Sequence, residues 1–250
     1  QVKESGAQIR EITEVKKITK PEEIGGDFIL ETRRGDYHAK AVIMATGGGH
    51  RKLNIPGEEE LTGRGVSYCA TCDGPLFRDK TVAVIGGGNT AVTEAVYLAD
   101  LTEKTYLIHR RDELRAESAI QEMIFNSDVE ILWDTIATEF KGSDVLDTII
   151  TKNVKTEEEQ ELHVDGAFVA LGSNPDSKLA QDIGVKTNSR GEILVDDKQA
   201  TNVSGVFAAG DVIDSMKQIV VATGTGAIAA DSAYTYIRRY CLDDSPRGYA

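Results

Sequence analysis

Between residues 8 and 45 apolar and polar positions alternate in short runs, the period of half-buried strands. Strands are expected over Gln8–Ile12, Glu14–Ile18, Phe28–Thr32 and His38–Met44, with polar turns at Pro21–Gly26 and Arg34–Asp36. The last run ends Ala45-Thr46-Gly47, a buried strand entering a glycine turn. Glycines 47 to 49 and then Pro56-Gly57 mark a boundary. After Lys80 the pattern changes. Thr81–Ile85 is continuously apolar, as expected of a parallel strand covered on both faces. Thr90–Asp100 carries Ala91, Val92, Ala95, Val96, Leu98 and Ala99, which fits a helix packed on that sheet. A second strand is expected at Thr105–Ile108, a helix over 112–126 and a third strand at Glu130–Leu132. Thr148–Val154 and Glu161–Val164 read as a hairpin around the charged turn Lys155–Gln160. Gly166–Leu171 is a buried strand ending at Gly172, and Gly205–Ala209 another, ending at Gly210-Asp211. A helix of small residues follows over about Val220–Arg238. This order of elements is that of an α/β protein.

With 250 residues the chain can form one large domain or two modest ones. No apolar run approaches the roughly 18 residues of a membrane span, so no membrane partner is expected. A net charge of −13 argues against nucleic acid as a general partner, since phosphates are repelled. A local basic cluster stands out against it at Arg110, Arg111 and Arg115. Three cysteines are too few for a secreted disulfide scaffold, no signal-peptide pattern opens the chain, and a cytoplasmic location is expected. Gln1 opens on what reads as the middle of a domain, so a fragment or a processed chain is expected.

The spacing Gly86-x-Gly88-x-x-Ala91 lies between an expected strand and an expected helix, the context that gives this motif meaning. The first glycine makes a tight turn, the second admits a pyrophosphate to the backbone, and Ala91 allows close helix–strand packing. The helix start, with Asn89 and Thr90, offers N–H groups to phosphate oxygens. The next strand selects the cofactor. An acid there binds the ribose hydroxyl of NAD, but this strand ends His109-Arg110-Arg111, with Arg115 further on. Guanidinium groups suit a 2′-phosphate. At about 1.5–3 kcal/mol for each charged hydrogen bond, two arginines give roughly 10² to 10⁴ in favour of NADPH. Gly224-Thr225-Gly226-Ala227 repeats the glycine spacing with no strand directly before it, and is read as small residues in a helix near a ligand.

Cys69-Ala70-Thr71-Cys72 is followed at once by Asp73-Gly74. Two thiols at this spacing can close a disulfide or bind a metal, and the adjacent acid can move protons. Zinc would need four ligands, and the chain has one cysteine pair, the remote Cys241 and four scattered histidines, so no metal is expected.

Together, Cys69–Gly74, the Gly86–Ala91 turn, His109–Arg111 with Arg115, and Gly205-Val206-Phe207-Ala208-Ala209-Gly210-Asp211 resemble the low-molecular-weight, bacterial-type thioredoxin reductases. The resemblance runs over nearly all of the chain in the family's order. It implies two Rossmann-like nucleotide-binding domains of the three-layer FAD/NAD(P)-binding type. The FAD domain would be discontinuous, over 1–50 and 173–250, and the NADPH domain with the dithiol would span 51–172. The family opens with a Gly-x-Gly-x-x-Gly turn that cradles FAD, and nothing before residue 47 matches it, so the FAD domain is expected to be incomplete at its N-terminus. The resemblance further implies FAD and NADPH as cofactors, thioredoxin as partner, and a homodimer. Cys69 would attack the partner disulfide, Cys72 would face the flavin, and Asp73 would give or take the proton. The FAD contacts would be Thr46, Gly47, Gly210, Asp211, Lys217, Gln218 and Ile219, with Lys217 where the family usually has Arg. Gly172 would join the nucleotide contacts. Domain rotation would occur on two strands near Gly49–Lys52 and Gly172–Pro175. Two other readings compete. The flavoprotein subunit of alkyl hydroperoxide reductase also has a dithiol before the glycine turn, but it is NADH-linked and lacks the arginines. A catalytically silent NADPH-binding fragment is the other.

Overall fold

The computed structural model describes residues 4–241, which divide into two compact units, 4–49 with 174–241 and His50–Ser173. The first unit opens with β1 (Val15–Thr19), β2 (Phe28–Thr32) and β3 (Gly35–Ala39), an antiparallel three-stranded sheet, then β4 (Val42–Met44). The expected strand at Gln8–Ile12 does not form. Ile12 has a φ of 52° and is 93% exposed, so its alternation has neither a partner strand nor a core to face. The expected run His38–Met44 breaks at Lys40 into β3 and β4. The chain leaves this unit along β5 (Gly48–His50).

The second unit is built on a parallel sheet. Its elements are β6 (Val66–Ser67), α1 (Ala70–Asp73), β7 (Thr81–Gly86), α2 (Asn89–Ala99), β8 (Lys104–Ile108), α3 (Ser118–Phe125), β9 (Glu130–Leu132), β10 (Thr135–Lys141), β11 (Thr148–Asn153), β12 (Glu159–His163) and β13 (Gly166–Ala170). The five-stranded order β6-β13-β7-β8-β9 is parallel throughout. The apolar run of β7 serves two cores, as the pleat dictates. Val82 and Val84 pack with α2 and α3 on one face, against Ala91, Val92, Leu98 and Ile124. Ala83 and Ile85 pack on the other with Ala137, Phe140 and Ile149 of the antiparallel β10–β12 layer. Each fully buried Leu or Val contributes about 1.5–3 kcal/mol, so this double coverage is the main anchor of the glycine turn that ends β7.

Two expectations change here. The helix expected over 112–126 starts only at Ser118, because the preceding segment wraps the glycine turn instead. Strand β10 has no counterpart among the expected elements; a bulge between Ala137 and Glu139 breaks its alternation.

The chain returns along β14 (Ser173–Pro175), which pairs with β5. In the first unit α4 (Lys178–Asp182), β15 (Val206–Ala208) and α5 (Ile219–Tyr240) follow. Strand β15 runs parallel to β4, with Val206, Phe207 and Ala208 opposite Val42, Ile43 and Met44. The Gly224–Ala227 glycine pattern lies inside α5.

Candidate active site

Cys69 and Cys72 form a disulfide with a Cα–Cα distance of 5.3 Å. Cys69 is the residue before α1, and its Sγ accepts the N–H of Cys72 at 3.2 Å. Cys72 is exposed and Cys69 half-buried. The turn is pinned from two sides. Ser67, at the end of β6, accepts the N–H of Cys69 at 3.1 Å and donates to Asp73 Oδ2 at 2.7 Å. Glu94, on α2, accepts the backbone N–H of Ala70, and burial pushes its carboxyl up to about 7 against that hydrogen bond. Asp73 thus sits beside the dithiol with one oxygen already fixed.

The glycine turn of the same unit is shaped by contacts that leave no room for a side chain at Gly86 or Gly87. A Cβ at Gly86 would lie 2.6 Å from Ala170 O and 2.6 Å from the Ala91 Cβ. A Cβ at Gly87 would lie 2.1 Å from the His109 ring. At Gly88 the space is open, where a bound phosphate would need it. His109 is buried, with Nδ1 2.7 Å from Gly86 O and Nε2 2.8 Å from Glu113 O. Arg115 N–H donates to Gly87 O at 2.8 Å, and Asn89 exchanges two hydrogen bonds of 2.9 Å with Glu117. These bonds explain why residues 110–117 follow the turn rather than a helix.

A cavity of about 520 Å³ opens on this turn, lined by Gly86, Gly87, His109, Arg110, Arg115, Ala170 and Leu171 among others. Arg51 and Lys52, expected from the sequence only as part of a hinge strand, add two cations to its wall. Glu58, buried, accepts the N–H groups of Leu53 and Asn54 and so fixes the loop beside them. Arg111 is exposed and outside the lining; Gly88, Asn89, Thr90 and Ala91 continue from the turn into α2. Gly172 O accepts the N–H of Arg51 at 2.9 Å. The donor set fits NADPH: open space at Gly88, a helix start with no side-chain cap, and guanidinium groups in the lining.

The residues expected at FAD lie in the other unit. Parallel pairing of β4 and β15 brings Thr46-Gly47 and Gly210-Asp211 to the same strand ends, where open α/β sheets bind ligands. Ala209 N–H donates to Met44 O at 3.0 Å and Gly210 N–H to Thr225 Oγ1 of α5 at 3.1 Å. Gly224 and Gly226 leave open space on α5. Gln218 precedes α5, and Ile219 is 88% exposed at its start. Lys217 is engaged: its ammonium donates to Ile213 O and pairs with Glu192 Oε1 at 3.0 Å. Burial acts to raise the Glu192 carboxyl, but Asn188, Lys217 and Arg190 outweigh it and hold the group below the usual carboxylate range. The strand-end geometry fits a flavin nucleotide; the Lys217 ammonium is committed to the protein.

Residues 1–226 match the pyridine nucleotide-disulphide oxidoreductase family. The chain belongs to that family. Within it, the chain is 45% identical over 234 residues to a thioredoxin reductase of Treponema pallidum, covering 93% of this chain and 74% of that protein. The crystal structure of thioredoxin reductase from Streptococcus pyogenes superposes with a TM-score of 0.84 at 40% identity, over 91% of this chain and 74% of that one. The Giardia duodenalis thioredoxin reductase gives a TM-score of 0.86 at 33% identity, over 94% and 77%. The chain is a member of the thioredoxin reductases, flavoprotein oxidoreductases of mixed α/β fold with a Rossmann-like parallel sheet. Among the described residues no cluster of three or more His, Cys, Asp or Glu is arranged to hold a metal ion. No described helix is long and apolar enough to cross a membrane.

Proposed function

We propose that the protein is an NADPH-dependent thioredoxin-disulfide reductase. The observation that carries this is the Cys69–Cys72 disulfide, with Asp73 beside it, in the same unit as the cation-lined cavity at Gly86–Gly88. When bound, NADPH supplies an electron pair as hydride and FAD relays it. In this reading the NADPH domain is 51–172, and Arg110 and Arg115 hold the 2′-phosphate while the start of α2 receives the pyrophosphate. The FAD domain is 1–50 with 173–250, and Thr46, Gly47, Gly210 and Asp211 contact the flavin nucleotide.

The dithiol chemistry balances on the chain's own atoms. Uptake of two electrons and one proton breaks the Cys69–Cys72 S–S bond and leaves a thiolate and a thiol. The Cys72 N–H that reaches Cys69 Sγ favours charge on Cys69, the attacking sulfur. Cys69 attacks one sulfur of the thioredoxin disulfide, whose other sulfur departs and takes a proton. Cys72 then attacks Cys69, re-forms the S–S bond and releases the second thioredoxin thiol. Asp73 gives and takes the protons of these steps.

The cysteine roles can be trapped. Cys72→Ser leaves Cys69 with no resolving thiol, so with a thioredoxin that keeps one active-site cysteine, activated as a thionitrobenzoate mixed disulfide, a protein–protein disulfide accumulates with release of thionitrobenzoate, and Cys69→Ser accumulates little. Mass spectrometry of the intact adduct reads the difference; equal trapping by both variants overturns the assignment.

A further inference from the structure

Strand β6 is the edge of the parallel sheet, held to β13 with Val66 opposite Ala167 and Ser67 opposite Phe168. Ser67 is 6% exposed. Its hydroxyl donates to Asp73 Oδ2 at 2.7 Å and accepts the Cys69 N–H at 3.1 Å. Both contacts are within ordinary hydrogen-bond range. Helix α1 is only four residues long, and a single turn has little stability of its own. The carboxylate therefore takes its position relative to the cysteines from the sheet, through Ser67, more than from the helix that carries it.

We propose that Ser67 is a positioning residue for proton transfer at the dithiol, holding the Asp73 carboxylate against the Cys69 backbone with Oδ2 occupied and Oδ1 left to carry the proton. This rests on the reading of Asp73 as the proton donor and acceptor of the dithiol. The step can be followed without any cofactor, using dithiothreitol as reductant. Its thiolate attacks one sulfur of the Cys69–Cys72 pair and the S–S bond breaks. The other sulfur leaves with the electron pair and takes a proton from Asp73. The second thiol of dithiothreitol then releases the first sulfur and closes the reductant to its own disulfide.

The test compares variants at Ser67 of nearly equal shape. Ser67→Thr keeps a hydroxyl and Ser67→Val does not; Ser67→Ala is a second hydroxyl-free version should Val not fit. The rate of Cys69–Cys72 reduction by dithiothreitol is read by thiol labelling, with and without Asp73→Asn. Ser67→Thr is expected within about twofold of the unaltered protein, and Ser67→Val or Ala about tenfold slower, the loss of one hydrogen bond's alignment. In the Asp73→Asn background the hydroxyl should make less than about a twofold difference. Equal rates for Ser67→Thr and the hydroxyl-free variants, or a tenfold gap that survives Asp73→Asn, overturns the proposal. A separate arm mixes the reduced, unaltered protein with oxidised thioredoxin. Failure to exchange there counts against thioredoxin as substrate, while the dithiothreitol comparison still decides Ser67.

Discussion

Gly87 stands between two glycines with motif roles, and its own role comes from a contact. The His109 imidazole is held by Gly86 O and Glu113 O at 2.7 and 2.8 Å, so it has no way to retreat from a methyl group on Gly87. Gly87→Ala is therefore expected to destabilise the unit by about 1–3 kcal/mol, the usual cost of overpacking, and to weaken NADPH binding with it. Gly88→Ala, placed in open space, is expected to leave unfolding unchanged and to weaken NADPH binding alone. Denaturant unfolding and cofactor titration of both variants separate the two effects; a fully stable Gly87→Ala contradicts the packing argument. The cysteine pair, the glycine spacing and the arginines were all legible in the chain because each is a short, contiguous pattern. Ser67, Gly87, Arg51 and Glu94 were not, because their importance comes from folded contacts that no contiguous pattern announces. Ser67 stands six residues before Asp73, and no local spacing marks the bond between them.

Helix α2 joins the glycine turn at its start to the dithiol turn along its flank. It carries a carboxyl that burial has pushed up to about 7 from 4.5, at Glu94. In the unfolded chain this group loses its proton near its ordinary value. Between about pH 4.5 and 7 the folded state keeps a proton that the unfolded state has released, so this group makes stability fall as pH rises through that window. Above it the penalty is constant. Glu94→Gln keeps an acceptor for the Ala70 N–H and removes the charge. It is expected to be more stable than the unaltered protein by about 1–3 kcal/mol above neutrality, with no gain at the acid end of the window. Unfolding measured across that range checks it, and a gain independent of pH would contradict the burial of a charge. Elements followed the pattern where one surface was clearly buried. Strand β7 and helix α2 read correctly because apolar positions there meet a core on every side that matters. Strand β10 was hidden by its bulge, α3 lost its first six expected residues to hydrogen bonds with the glycine turn, and Gln8–Ile12 alternated without a partner.

At the scale of the molecule, the unit carrying the dithiol is inserted within the chain of the other. The chain leaves at Gly49 and returns at Asn174. The α/β class was legible from the alternation of apolar runs and helical periods after Lys80. The antiparallel β10–β12 layer beneath the parallel sheet was only half visible, as a hairpin. In the proposed reaction, electrons from NADPH reach a protein disulfide through Cys69 and Cys72. The most direct measurement supplies the protein with FAD, NADPH and oxidised thioredoxin, and counts thioredoxin thiols formed against NADPH consumed. Two thiols are expected for each NADPH, as a two-electron transfer requires, with no steady formation of thiols by Cys72→Ser. NADPH consumption without thioredoxin thiols, or sustained turnover by Cys72→Ser, would contradict it.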